Sequence, residues 1–434
     1  MTNQDLLVSL LKQKGTGKTM SKSLNKEQCE QVLNCFASAE CSDVTKTTLW
    51  TALMMLENTD EEQTLLNRLN TSPFLPQTCK TVLENPSTEF QKILSLLLKH
   101  QSLNETDMQQ SITRLFDPIV NTKNNDCEKA VFLEGLRLKE ETNLENQAML
   151  HYYWHSSQRA ICDVPILIDL STAYDGFNRH PQLALFTAPL LASIGFNVVL
   201  HGCEEVSPKR GINPYKLLQA AGKNPTKSLE QVKTSLETNS IAWGYCDQRI
   251  FFPEADALRP LRQLIVKRPL LATIEKFCQP LVSKHRTVLI TGYTHPPYRQ
   301  KTINLLQKLQ SFGHLDTYII LRGLEGSCTA PQDRRCPIII GNQSNVQEDF
   351  VSPADFGLNL HDRIEPNPEI NVTDTLDLGL KALSGQSKNT QEQLIYNCLL
   401  ILSHANLIEN LEATKKKLQD SISSGKALSH WDAY

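Results

Sequence analysis

Residues 164–202 constrain the fold of this chain more than any other stretch. The run Val164-Pro165-Ile166-Leu167-Ile168-Asp169-Leu170 is short, apolar and β-branched, which predicts a buried strand. A polar turn with one glycine follows: Ser171-Thr172-Ala173-Tyr174-Asp175-Gly176-Phe177-Asn178-Arg179. A helix is expected over residues 181–194 and, after Gly195, a second strand over 197–200 that ends at His201-Gly202. Strand, loop, helix and strand make a βαβ unit. Its ligands sit where strand carboxyl ends meet helix amino ends, because free amides and the helix dipole favour anions there. An ancestral phosphate site in this chain would lie in this stretch.

At 434 residues the chain is long enough for two or more domains with a sizeable core. No window approaches the ~18 uninterrupted apolar residues of a membrane span. Met1-Thr2-Asn3-Gln4-Asp5 lacks the basic start of a secretory signal. A cytoplasmic address with no membrane partner is the expectation. The 12 cysteines are scattered with no C-x-x-C pair, so they read as buried free thiols, and no metal site is expected from them. A formal charge of −3 argues against a uniformly basic nucleic-acid coat. Between residues 258 and 301, however, Arg259, Arg262, Lys267, Arg268, Lys276, Lys284, Arg286, Arg299 and Lys301 are set against Glu275 alone. Such a run is either a solvated face or the footprint of an anionic ligand, phosphate or single-stranded nucleic acid.

The first 160 or so residues carry helical periodicity and a weak internal repeat. Ser23-Leu24-Asn25-Lys26-Glu27-Gln28 is echoed by Ser102-Leu103-Asn104-Glu105-Thr106-Asp107, in each of which Asn can cap a helix. Further on, Thr59 and Thr142 can each cap another acidic-rich helix. A duplicated helical module is expected, joined by a poorly patterned segment over residues 70–89; chance similarity among amphipathic helices is the alternative. Lys14-Gly15-Thr16-Gly17-Lys18-Thr19 fails as a phosphate-cradling loop, because Lys12 stands where the first glycine is needed and no strand precedes it. From residue 163 onward, strand candidates at 164–170, 197–200, 287–291, 317–321 and 337–340 alternate with helices at 214–221, 259–264 and 301–312, which reads as an α/β domain. The tail over 375–424 reads as two or three helices before a frayed terminus.

These stretches resemble glycosyl transferase family 3, the group of anthranilate phosphoribosyltransferase and the pyrimidine nucleoside phosphorylases. Residues 102–153 are similar to its helical domain, and residues 163–202 to its phosphate-loop unit. Ile212-Asn213-Pro214-Tyr215-Lys216 is similar to the helix after its substrate loop, and Phe251-Phe252-Pro253 with Leu258-Arg259-Pro260-Leu261-Arg262 and Lys267-Arg268 to an F-x-P … R-x-x-x-x-R segment. Arg322-Gly323-Leu324-Glu325-Gly326 is similar to its late H-G-x-D-G turn. The resemblance implies an extra helical module at 1–85, a family-type helical domain at 86–160 and an α/β domain at 161–430 with a central sheet flanked by helices. It also implies a homodimer through the N-terminal helices.

The departures from the family pattern bear on chemistry. Active members carry a G-T-G-G-D loop that wraps pyrophosphate, and here Thr172, Ala173 and Tyr174 bring side chains into that turn. Leu200-His201-Gly202-Cys203-Glu204-Glu205 replaces a K-H-G-N-R-S stretch, losing the lysine and bringing two carboxylates toward the phosphate position. The magnesium-holding Asp-Glu pair aligns with Cys328-Thr329, neither a good hard-cation ligand, so magnesium is implied only if pyrophosphate binding is retained. No catalytic residue and no other cofactor follows from the sequence.

Two functions remain. One is a transferase or phosphorylase acting on a small phosphorylated sugar or nucleotide. For it the ligand candidates are Tyr174, Asp175, Gly176, Asn178 and Arg179 on the first loop, His201, Gly202 and Arg210 after the second strand, Tyr293, Thr294, His295 and Tyr298 after a later strand, and Arg322 with Glu325. Each set has a plain structural reading as well: an Asp/Asn-rich turn, a hydrogen-bonded histidine, a Pro-Pro turn covering a strand end. The other function is a non-catalytic nucleic-acid or nucleotide binder using Arg259, Arg262, Lys267, Arg268, Lys284, Arg286, Arg299 and Lys301.

Overall fold

The computed structural model describes residues 2–117, 123–359 and 365–434. Its helical region opens on caps that the sequence supplies. Thr2, Asn25, Thr59 and Thr88 each accept the amide three residues on, and the side chain at that position bonds back to the cap amide. Amides that a helix leaves unpaired at its start are thereby satisfied. The helices are α1 Asn3–Lys14, α2 Lys26–Ala37, α3 Asp43–Met55, α4 Asp60–Asn70, α5 Gln77–Glu84, α6 Glu89–Leu98, α7 Glu105–Phe116, α8 Lys123–Lys139 and α9 Asn143–Ser156. α5 falls inside the segment expected to be an unpatterned link. Met1–Tyr152, Val206–Pro208 and Glu254–Ile274 form one unit, so residues 1–85 and most of 86–160 lie together in it.

The two stretches that echo each other in sequence carry the same polar clamp. Leu24 and Leu103, each the residue before a capping Asn, donate their amides at 2.8 Å to Glu62 Oε1 and Glu145 Oε1. The second oxygen of each carboxylate accepts a threonine amide, Thr59 at 2.9 Å and Thr142 at 2.7 Å. It also meets a lysine at 2.8 Å, Lys14 from α1 in one case and Lys139 from α8 in the other. Both carboxylates are fully buried, and such a group persists only when its oxygens are filled and its charge is paired. Lys14 is thus committed to Glu62, and Lys18, which stands where the motif would place its lysine, donates to the Lys139 carbonyl at 3.4 Å.

Tyr153–Glu205, Lys209–Pro253 and Glu275–Tyr434 form the second unit. Its strands are β1 Ala160–Cys162, β2 Leu167–Leu170, β3 Asn197–Gly202, β4 Trp243–Asp247, β5 Leu281–Ser283, β6 Thr287–Gly292, β7 Thr317–Leu321, β8 Cys336–Asn342 and β9 Val346–Val351. The large sheet runs β4-β3-β2-β6-β7-β8-β9, parallel as far as β7 and antiparallel beyond it, while β1 and β5 form a separate parallel pair. Strands covered on both faces read as near-continuous apolar runs, which is why β2, β3, β6 and β7 were legible. Ile168, Leu170, Val198, Leu200, Val288 and Ile290 face one core with α10 Ala184–Ser193, a helix buried along its whole length. β4 carries Gly244 and ends in Asp247, and β9 is polar and mostly exposed, so neither shows a strand pattern in sequence.

The terminus is not frayed, contrary to expectation. Lys426–Asp432 is helical, Trp431 is buried, and its ring stacks on Phe186 at 5.2 Å and on Trp243 at 5.7 Å. Tyr434 adds a third ring, 4.4 Å from Trp243. Aromatic burial at the last residues outweighs the entropy that frees most chain ends. Among the described residues no helix is long and apolar enough to cross a membrane. All 12 cysteines are buried free thiols.

Candidate functional site

The loop after β2 turns inward. Tyr174 is 2% exposed, and its hydroxyl lies 2.6 Å from His201 Nδ1 at the end of β3. His201 Nε2 in turn lies 3.4 Å from Asp169 Oδ1, with both side chains fully buried. Tyrosine, histidine and aspartate thus stand in series under the carboxyl end of the sheet. Burial pushes the Tyr174 phenol well above its ordinary range, so it is a neutral hydroxyl facing the ring nitrogen. Asp169 was not among the sequence candidates, although one acid within an otherwise apolar strand was the available signal. Gly176 has φ +75°, and a Cβ there would stand 2.6 Å from Ile212 O, because Phe177 and Ile212 pair backbone to backbone. Only glycine allows that approach. Asp175 is buried, and its carbonyl accepts the Gly211 amide at 2.8 Å.

α11 Pro214–Ala220 starts on the same loops. Its cap, Asn213, donates to the carbonyls of Tyr174, Cys203 and Glu204 at 3.0–3.3 Å. Gly202 leaves room for the Tyr245 hydroxyl, 3.0 Å from where a Cβ would sit.

A second cluster centres on Glu325. Its carboxylate accepts the backbone amides of Asn178 (3.2 Å to each oxygen), Arg179 (2.9 Å) and His180 (3.2 Å). Lys209 Nζ lies 2.8 Å from Oε2, and His180 Nδ1 lies 3.3 Å from Oε1. Burial alone would raise the carboxyl, but the bonds from His180 and Lys209 and the Arg179 amide outweigh it and hold the group far below the usual carboxylate range. Glu325 itself has φ 50°, ψ 22°, in the left-handed region, between Gly323 and Gly326. Thr294, from the loop after β6, packs its hydroxyl against Gly326. The loops after β2, β6 and β7 therefore meet, and Asn178, Arg179, Thr294 and Glu325 are brought together. Lys209 and His180 had no sequence signal, being one lysine in a basic loop and one histidine before a proline.

Beside this cluster opens a cleft of about 530 Å³, lined by Phe177, Arg179, Arg210, Ile212, Lys216 and Asn371 among others. Arg179 and Arg210 are exposed there. Glu204 and Glu205, expected to crowd a desolvated phosphate position, are instead 45% and 41% exposed. Glu204 lies 3.4 Å from Arg249, and Glu205 lies 2.6 Å from Lys216 and 3.8 Å from Arg210. The magnesium that the resemblance implies does not fit the donors at its expected position. Cys328 is buried, its thiol pushed up to about 12, and Thr329 is also buried. Neither offers the charged oxygen a hard cation needs.

The remaining candidates scatter. Tyr293 is buried at the end of β6, while His295 and Tyr298 are exposed, with Lys301 Nζ 5.2 Å from the Tyr298 ring. Arg322 is exposed beside β8. The basic run is divided between the two units. Arg259, Arg262, Lys267 and Arg268 belong to the helical unit, where Arg259 bonds Asp256 at 2.7 Å, Arg262 is 1% exposed and Lys267 donates to the Lys12 carbonyl at 3.0 Å. In the α/β unit Lys284 lies 3.6 Å from Asp163, Arg286 donates to the Ala405 carbonyl at 2.6 Å and Arg299 pairs with Glu348.

Comparison with known proteins gives one answer. An uncharacterized protein of Aquifex aeolicus is 24% identical over 328 residues, 74% of this chain and 94% of its own. The anthranilate phosphoribosyltransferase of Oceanobacillus iheyensis is 23% identical over 338 residues, 76% of this chain and 94% of its own. The fold matches that of Saccharomyces cerevisiae anthranilate phosphoribosyltransferase solved with phosphoribosyl pyrophosphate and magnesium, with a TM-score of 0.64 and 13% identity over 80% of this chain and 97% of that one. The sequence pattern described as "Glycosyl transferase family, a/b domain" matches residues 170–428, more than half of the chain. With the mixed sheet, the loop after β2 and the late glycine turn all in place, the chain belongs to the glycosyl transferase family whose members include anthranilate phosphoribosyltransferase.

Proposed function

We propose that this member of the family binds a small phosphorylated sugar or nucleotide on the face formed by the loops after β2 and β3, without the magnesium-pyrophosphate arrangement of the anthranilate enzymes. The observation that carries this reading is the Tyr174 ring. It fills the turn where the family's glycines leave backbone open to pyrophosphate, and its hydroxyl is bound to a buried histidine. Phosphate therefore meets this chain from the open side, where Arg179, Arg210 and Lys216 line the cleft. Ile370 and Val372, both half-buried, give the same cleft apolar surface suited to a sugar or base.

The polymer-binding reading draws no comparable support. Its cations are divided between two units, and most are buried or paired with carboxylates and carbonyls rather than presented to solvent.

A thermal-shift titration tests the proposal, because a ligand that binds only the native state raises the midpoint. Ribose 5-phosphate or a nucleoside monophosphate should raise it without magnesium, and the Arg179→Ala/Arg210→Ala variant should lose the effect. A magnesium-dependent shift with phosphoribosyl pyrophosphate, or turnover of anthranilate, sinks the reading. A shift with single-stranded DNA alone, weakening steeply with salt, replaces it with the polymer reading.

A further inference from the structure

We infer that Glu325 is an internal stand-in for a ligand phosphate: the backbone amides of Asn178, Arg179 and His180, with Lys209, form a phosphate site that the chain's own carboxylate occupies until a phosphomonoester displaces it. The inference rests on the reading that this face takes a phosphorylated ligand, and it adds where the phosphate goes and what it must remove.

Three features carry it. The first is the donor set. Three consecutive amides, an ammonium and an imidazole nitrogen converge on two oxygens, with Asn178 N shared between both at 3.2 Å and Lys209 Nζ at 2.8 Å. Successive amides pointing into one concavity make an anion nest. A phosphate, with one more oxygen and up to one more negative charge, matches such a set better than a single carboxylate.

The second is the support of the occupant. Glu325 is held in the left-handed region at φ 50°, a conformation that crowds a residue with a Cβ. Gly323 precedes it and Gly326, at φ +82°, follows it. Glycines stand on both sides of the segment, so its backbone can rotate as the carboxylate leaves the nest.

The third is access. Asn178 and Arg179, whose amides form the nest, also line the open cleft with Arg210 and Lys216. A phosphate drawn in by these side chains arrives next to the amides it would occupy. Lys209, only 20% exposed, bonds both Glu325 and the Gly176 carbonyl at 3.2 Å, so it stays in place when the carboxylate leaves.

The test is rescue of Glu325→Ala by inorganic phosphate. In buffer free of multivalent anions the variant should melt below the wild type. Phosphate should then raise its midpoint by several degrees, at a concentration at least about tenfold lower than the wild type requires, and Lys209→Ala added to it should abolish the rescue. If phosphate shifts Glu325→Ala no more than the wild type, Glu325 is a structural brace and the inference falls. Should the alanine variant fail to fold, Glu325→Gln keeps the shape without the charge. It should bind phosphate about tenfold or more tighter than the wild type, and equal affinity overturns the inference.

The arms separate the two proposals. Rescue of Glu325→Ala with no sugar-phosphate binding by the wild type keeps the nest and sinks the cleft reading. Sugar-phosphate binding that needs Arg179 and Arg210 but ignores Glu325 does the opposite.

Discussion

Tyr174 Oη lies 2.6 Å from His201 Nδ1, and the two rings meet edge to face with centroids 5.6 Å apart. The buried phenol stays neutral, so it can donate to Nδ1 when the ring carries its proton on Nε2, the nitrogen 3.4 Å from Asp169. Deleting the hydroxyl in Tyr174→Phe strands Nδ1 in the interior. That should cost about 1–3 kcal/mol of unfolding free energy, read from urea denaturation, and the nitrogen-15 shifts of His201 should move away from the Nε2–H tautomer. A variant as stable as the wild type with unchanged shifts would mean the contact carries no weight.

The Glu325 network gives stability a defined acid limb. Its carboxyl ionises far below the ordinary value of 4.5 in the folded protein. The stability it contributes is therefore complete above about pH 4.5 and lost as pH falls through the depressed folded value, because the unfolded chain takes up the proton first. Glu325→Gln lacks this contribution. The gap in melting temperature between wild type and variant should be widest at neutral pH and close progressively below about pH 4.5. A gap independent of pH would sink the assignment.

How far the sequence spoke depended on what buried each element. β2, β3, β6 and β7 are covered on both faces, so their apolar runs marked them. β9 carries Gln347, Glu348 and Asp349 on an exposed edge and left no such mark. The loop after β2 was marked in the sequence because a strand end and a glycine announce a turn. Its partners were not: Lys209 meets Glu325 across 116 positions, and Asp169 meets His201 only through strand register. Pairings of that kind belong to the folded sheet. The basic run shows the opposite failure, since cations adjacent in sequence fold into different units.

Lys267 provides a check on that last point. Burial, opposed in part by Glu134, holds its ammonium down to about 8 from an ordinary 10.5. Between those values the unfolded chain keeps a proton that the folded one has lost, so the residue makes stability rise with pH across that window. Lys267→Met should flatten this rise between about pH 8 and 10.5 in chemical denaturation. It should leave the salt dependence of DNA retention unchanged, because a buried ammonium bonded to the Lys12 carbonyl at 3.0 Å releases no counterion. A reduced salt slope would return this residue to the polymer-binding reading.

The twin clamps in the helical unit predict matched costs. Glu62 and Glu145 each fix the amide before a helix cap, a threonine amide and a buried lysine. Replacing either with alanine strands the ammonium of Lys14 or Lys139, which should cost about 3–5 kcal/mol. The double changes Lys14→Met/Glu62→Leu and Lys139→Met/Glu145→Leu remove both charges together and should recover part of the loss, leaving the orphaned Leu24 and Leu103 amides as the residual penalty. The two clamps share no partner, so the Glu62→Ala and Glu145→Ala costs should add to within about 0.5 kcal/mol. Equilibrium denaturation of the four variants and the double alanine checks this. A shortfall from additivity beyond that margin would mean the two clamps are coupled through the packing of α3 against α8.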